Sequence, residues 1–314
     1  MQTSIESSLE SRLAEKYARA LNLGELFFIE STVVNVKEND IEFEIRFAPS
    51  LYKKPSGSAV ATENSNKKSK VDPFIFYNPV LLVEEYGDYI VLLNKFSIAP
   101  HHILVVTKEY EQQTDPLFPR DLEAVWHYMV QFKSKRSLAF YNCGNNSGAS
   151  QPHKHIQILP LSNDPPISAC FNDVDKKPGE KFDFPQFSFI HHVIILDQKR
   201  IIGSSEEVIG EYLGEAFHSL YDAMIESLRL HSENVSANLA FPVSYNFLMT
   251  TSWMIMVPRM HENFRQVSVN SLGFGGMLLV KSEECLELVK SLGVIKILDA
   301  VTVPKDLGTR QDHA

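Results

Sequence analysis

Cysteine is scarce in this chain. Cys143, Cys170 and Cys285 are spread over 314 residues, and no two form a Cys-x-x-Cys pair. That usage argues against a disulfide framework and a cysteine-rich zinc site, and it fits a reducing compartment. Positive charge is also in short supply, with 30 Lys and Arg against 39 Asp and Glu and a formal charge of −9. A surface devoted to nucleic acid is therefore not expected, while a small local site for phosphate groups stays compatible with an acidic chain. No run of 18 apolar residues occurs, so no membrane-spanning helix is expected. The first 26 residues hold no apolar signal-type core and carry glutamates, unlike a secretory or transit leader. The expected location is the cytoplasm, with the nucleus also open to such a chain. No internal repeat is visible.

What is present reads as one globular unit. Hydrophobic content of 44% is ordinary, and the length suits a single domain spanning 1–314 with appendages. Leu9, Leu13, Tyr17 and Leu21 recur every four residues, as on one face of a helix. Ile41, Phe43, Ile45 and Phe47 alternate with polar residues, as in a half-buried strand. Residues 53–70 lack periodicity and are rich in Ser, Lys and Asn, so 55–70 is expected to be a flexible loop. Strands follow at 89–94, 102–107, 138–142, 153–159 and 187–196, with a hairpin at 244–259. Helices are expected at 121–135 and 205–230, and another between an N-cap at Ser282 and a stop at Gly293. The tail at 306–314 is polar and expected to fray. Strands lie next to strands with helices at long intervals, so the fold class is α+β, an antiparallel sheet flanked by helices.

The stretch "NCGNNSGASQPHKHIQIL" concentrates the chemistry. In a strand, His153, His155 and Gln157 would share one face. The preceding loop of Gly, Asn and Ser can turn several backbone N–H groups toward one anion, forming a phosphate nest. A neutral imidazole beside such a nest can attack phosphorus and split a difficult transfer into two easier ones. Alternating histidines also occur in metal sites and in ordinary strands, so three readings stand on the residues alone. Gln157 is a poor ligand for a first-row metal, and no Cys or His cluster lies nearby to complete a site.

"HKHIQ" resembles the histidine-triad signature with glutamine in the third histidine's place, the variant of that superfamily's nucleotidyltransferases. Four segments are more specifically similar to fungal diadenosine tetraphosphate (Ap4A) phosphorylases, or ATP adenylyltransferases. They are "LLNKFSIAPHHILVVTKEYEQQTDPL", "FYNCGNNSGASQPHKHIQIL", "SYNFLMTTSWMIMVPR" and "VNSLGFGGMLLVK", in the same order, with "PSLYKKP" near residue 52 as a further match.

The resemblance implies a histidine-triad-like (HIT-like) fold with extra N- and C-terminal elements, and phosphorolysis of Ap4A to ADP and ATP through an AMP-histidine intermediate. His155 is then the nucleophile, with His153 and Gln157 as its catalytic companions. It further implies phosphate contacts from Lys54, with Lys53 leaving the register open, and from Asn142, Gly148, Ala149, Ser150 and Gln151. Leu93 and Asn94 match a nucleoside-contacting pair. Asn270, Ser271, Leu272, Met277 and Lys281 match a second nucleotide-contacting segment. His102 either lines the site or is an ordinary strand residue, and His191 and His192 read as structural. The Gln151-Pro152 pair departs from the family pattern, and a rigid residue there is expected to change loop geometry and substrate preference without removing the nucleophile. The implied partners are dinucleoside polyphosphates, ATP, ADP and phosphate, without nucleic acid or membrane. No tightly bound cofactor or built-in metal is implied, and magnesium or manganese is expected to arrive with the substrate. Two alternatives share these residues: a hexose-1-phosphate uridylyltransferase, and a nucleotide-binding regulator whose histidine is vestigial.

Overall fold

The computed structural model describes residues 8–51, 72–134, 136–172, 174–234 and 242–305. The expected loop at 55–70, the tail at 306–314 and Lys54 lie outside those residues. The first helix, α1 (Leu9–Asn22), starts where the Ser8 side chain accepts from the Ser11 N–H. Leu9, Leu13 and Tyr17 are buried as expected, but the fourth inward residue is Ala20, and Leu21 is 36% exposed. Steps of four overshoot the 3.6-residue turn, so the stripe drifts until position 20 takes the inward place.

Five strands follow: β1 (Phe27–Phe28), β2 (Thr32–Glu38), β3 (Ile41–Phe47), β4 (Leu82–Tyr86) and β5 (Tyr89–Leu93). Beyond them lie β6 (Phe96–Ser97), β7 (Ile103–Thr107), helix α2 (Pro119–Met129), β8 (Arg136–Cys143) and β9 (His155–Leu161). The second half contributes β10 (Lys181–Phe182), β11 (His192–Ile195), α3 (Gln198–Ile201), α4 (Glu206–Asn234), β12 (Tyr245–Met249) and β13 (Trp253–Pro258). It closes with β14 (Asn263–Phe264), β15 (Val267–Ser268), α5 (Ser271–Phe274), β16 (Met277–Val280), α6 (Glu283–Leu292) and α7 (Val294–Ala300).

Nine strands form one antiparallel sheet in the order β10-β11-β13-β12-β8-β9-β7-β5-β4. One face, with Val105, Ile156, Tyr141 and Phe247, shares a core with Leu13 of α1, Val125 of α2 and Phe217 of α4. Gly210 and Gly214 let α4 lie against the start of α2, because a Cβ there would stand 2.8 Å from Glu123 and 2.7 Å from Pro119. The opposite face, with Phe140, Leu159 and Leu248, packs with Phe43 and Ile45 of β3 and with Val289 and Ile297 of α6 and α7. There a three-stranded sheet, β16-β3-β2, joins an early and a late stretch of the chain through a parallel β16–β3 pair.

Several elements depart from their expected bounds, among them α4, which runs on to Asn234 instead of 230. Helix α2 begins at Pro119, whose missing N–H costs nothing in a first turn, and ends at Met129 instead of 135. The strand expected at 187–196 shrinks to His192–Ile195. Its first residues are diverted: His191 Nδ1–H donates to the Phe189 carbonyl at 2.9 Å and Nε2 accepts from the Phe184 N–H at 2.8 Å. That pairing gives His191 the structural role expected of it. The strand at 153–159 starts two residues later, at His155.

Candidate active site

The site is laid out along β9. His155, Gln157, Leu159 and Leu161 alternate with Ile156 and Ile158, which belong to the helix-covered core. The His155 backbone is gripped on both sides by one side chain: its N–H donates to Gln113 Oε1 at 2.8 Å, and its carbonyl accepts from Gln113 Nε2 at 3.3 Å. The same amide reaches the Asn142 carbonyl at 2.8 Å, so Gln113 fastens β9 to the end of β8.

The His155 ring lies 2.8 Å from the His153 carbonyl through Nδ1. A carbonyl oxygen only accepts, so the proton sits on Nδ1 and the lone pair on Nε2. Among the described residues Nε2 has no hydrogen-bond partner. Burial pushes the imidazole down to about 4, against a weaker upward pull from the His153 carbonyl, so the ring is neutral at pH 7. The Phe74 ring stands 5.1 Å away, centroid to centroid.

Gln157 is oriented by His102, whose Nε2–H donates to Oε1 at 3.1 Å, while Asn94 Nδ2 donates to His102 Nδ1 at 3.3 Å. Burial also lowers His102 to about 4, keeping it neutral. His153 stands just outside the strand, although the Phe74 ring contacts it as well as His155. It precedes β9, in an isolated bridge with Gln112, and its ring is engaged at 2.8 Å by both Asp72 Oδ2 and the Thr107 carbonyl.

A cavity of about 320 Å3 opens over this face, lined by Leu93, Asn94, Ser150, Gln151, His155 and Gln157. Phe74, Phe76, Tyr77 and Phe96 give it aromatic walls. Further along the same strand face, Leu159 and Leu161 line a larger cavity of about 730 Å3. Leu272, Met277, Arg46 and Phe28 also line it. Six residue steps along the strand, or about 20 Å, separate His155 from Leu161.

Among the described residues, Asn142, Gly148, Ala149, Asn270, Ser271 and Lys281 do not line either cavity. Asn142 is a buried hub whose Oδ1 accepts from Asn246 Nδ2 at 2.9 Å, from the Ser271 N–H at 2.9 Å and from the Ser271 hydroxyl at 2.7 Å. Its carbonyl-type oxygen is thereby committed to protein. Asn270 caps α5 by accepting from the Leu272 N–H. Gly148 has φ +81°, and a Cβ there would stand 2.9 Å from that of Asn270. Ala149 is half-buried, and Lys281 is exposed at the end of β16.

Gln113, Asp72 and Arg259 escaped the sequence reading. Arg259 bonds Asn246 Oδ1 and, at 3.0 Å, the Val269 carbonyl, tying the hairpin to the segment before α5. The only signal for these was that Gln113 and Arg259 fall inside the quoted segments. Among the described residues no group of three His, Cys, Asp or Glu is placed to hold a metal ion, and no helix is long and apolar enough to cross a membrane.

Comparison with known proteins falls on the same segments. Residues 2–171 match the model of the Ap4A phosphorylase N-terminal domain, and residues 185–304 match that of the ATP adenylyltransferase C-terminal domain. Strands from both stretches enter the nine-stranded sheet. Diadenosine 5',5'''-P1,P4-tetraphosphate phosphorylase 2 of Saccharomyces cerevisiae is 33% identical over 310 residues, with 90% of each chain covered. Protein APA1 of the same yeast is 30% identical over 300 residues, covering 90% of this chain and 89% of that one. The crystal structure of yeast Ap4A phosphorylase Apa2 superposes with a TM-score of 0.77 at 28% identity, covering 98% of both chains. Its complex with Ap4A superposes at 0.76 and 29% identity, covering 94% of this chain and 97% of that one. The chain belongs to the Ap4A phosphorylase family.

Proposed function

We propose that this chain phosphorolyses Ap4A, reversibly, to ADP and ATP, with His155 as the nucleophile. The observation that carries the reading is the His155 ring itself: neutral, its Nδ1–H spent on a backbone carbonyl, its Nε2 lone pair left for a cavity of nucleotide-compatible walls. In the first step Nε2 attacks the α-phosphorus. The N–P bond forms as the bond to the α–β bridging oxygen breaks, and ATP departs with that oxygen. In the second, a phosphate oxygen attacks the same phosphorus, the N–P bond breaks, and AMP leaves as ADP.

Gln157, steered by His102, offers its amide N–H to the phosphoryl oxygens and has no acid proton for a water-driven reaction. Ser150 and Gln151 at the cavity rim are the loop residues best placed to meet the α-phosphate, and Leu93 and Asn94 the nucleoside. The larger cavity, with Leu272 and Met277, lies on the same strand face and would take the other half of a long substrate. Magnesium or manganese would enter on the polyphosphate.

Incubation with Ap4A and phosphate should give ADP and ATP in equal amounts, and His155→Ala should abolish both. AMP with ATP would mean hydrolysis and would overturn the reading. With Ap4A and no phosphate, the intact mass of the parent protein should rise by one AMP, and that of His155→Ala should not.

A further inference from the structure

Between the two histidines sits a lysine that the proposed chemistry does not use. Lys154 is 0% exposed, among the largest fully buried side chains of the molecule, and it projects from the face opposite His155. Its Nζ donates to Asp121 Oδ2 at 2.7 Å and to Glu111 Oε2 at 3.1 Å, and lies 4.7 Å from the Phe118 ring centroid. Asp121 is held in turn by the Tyr89 hydroxyl at 2.6 Å and by the Phe118 N–H at 2.8 Å. Arg120 occupies the other oxygen of Glu111 at 2.5 Å.

Stability alone is a poor reason for this arrangement. Burying ions has a large desolvation cost, and an apolar side chain of similar volume usually serves a core as well or better. What the ion cluster does supply is a fixed location for residues 111–113. The Lys154 N–H donates to the Glu111 carbonyl at 2.8 Å and the Gln113 N–H to the Pro152 carbonyl at 2.7 Å, so the two segments run side by side. From the end of that ladder Gln113 takes both backbone groups of His155.

We infer that Lys154 is a positioning residue: its ammonium, clasped by Asp121 at the start of α2 and by Glu111, sets the place of Gln113 and through it the aim of His155. The inference rests on His155 being the nucleophile.

The test compares Lys154→Met, the pair Lys154→Met with Asp121→Asn, and Glu111→Gln. The single Met variant should lose stability, since it leaves Asp121 buried without its cation. Neutralising that carboxylate in the pair should bring the melting temperature back toward the parent. The rate of AMP transfer to His155 should nevertheless stay about tenfold or more below the parent in the pair, with KM for Ap4A nearly unchanged, because a misaimed nucleophile slows chemistry without weakening binding. Ring-nitrogen NMR should show the single Nδ1–H tautomer of His155 in the parent and a tautomer mixture in the pair. A pair with parental stability, parental rate and one tautomer overturns the inference. Should either Met variant not fold, Glu111→Gln decides, because it alters a partly exposed residue: a slower transfer step supports the role, and a parental rate and spectrum overturn it. Absence of phosphorolysis in the parent itself would sink the functional reading alone, since the His155 tautomer still reports on Lys154.

Discussion

Because the His153 carbonyl takes the Nδ1 proton of His155, the ring's lone pair is fixed on Nε2, and burial delays protonation of that nitrogen until about pH 4. An ordinary histidine titrates near 6.5. The proposed nucleophile is active only when neutral, so its depressed value moves the loss of activity to lower pH. The single-turnover rate of AMP transfer should therefore stay level from pH 7 to about 5.5 and fall only as pH approaches 4. An acid limb centred near 6.5 would contradict this environment for His155. At this scale the sequence was half transparent. Alternation around Ile156 and Ile158 assigns His155 and Gln157 to one face, and glutamine in the third place weakens metal binding. Nothing in "HKH" reveals that the middle residue is buried, because lysine is ordinarily a surface residue and its partners lie 33 and 43 positions away. Gln113 was equally silent, since a glutamine that binds backbone has no spacing or periodicity to mark it.

The loop from Gly144 to Gln151 joins β8 to β9 and carries Ser150 and Gln151 to the cavity rim. Its course depends on Gly148, where φ is +81° and an added Cβ would press on Asn270 and on the Val269 carbonyl, 3.0 Å away. Gly148→Ala should cost about 1–3 kcal/mol of stability from the unfavourable backbone and should raise KM for Ap4A through a displaced rim. Gly24→Ala is the matched control, with φ +70° and open space around it. It should lose stability for conformational reasons alone and leave KM unchanged. Equal KM values in both variants would dissociate the loop from substrate binding. Glycines and asparagines announced a turn here, but the segment's tertiary anchors were invisible, as was the diversion of residues 187–191 out of β11. Periodicity records apolar side chains; it does not record that the Phe184 N–H and the Phe189 carbonyl pair with a histidine ring.

On the scale of the molecule, one strand face connects the two cavities, His155 and Gln157 at one end and Leu159 and Leu161 at the other. Leu161 lines the larger cavity and not the smaller one and is half-buried, so Leu161→Trp can fill that space without touching the histidine. The variant should raise KM for Ap4A while sparing exchange of labelled phosphate into ADP, which needs room for one nucleotide. Equal damage to both reactions would mean that the larger cavity is not the far half of the substrate site. The antiparallel sheet was expected from the clustering of strands, whereas the β16–β3 pairing was not, since nothing local links segments so far apart. That pairing also has a meaning in time. Glu44 to Phe47 are seated against Met277 to Val280, so on a ribosome adding 5 to 20 residues per second the edge of β3 waits roughly ten to fifty seconds for its neighbour. Met277 and Leu272, which wall the larger cavity, are made in that same late portion. The cavity proposed for the second half of Ap4A is thus completed only long after the segment that carries His155 has been synthesised.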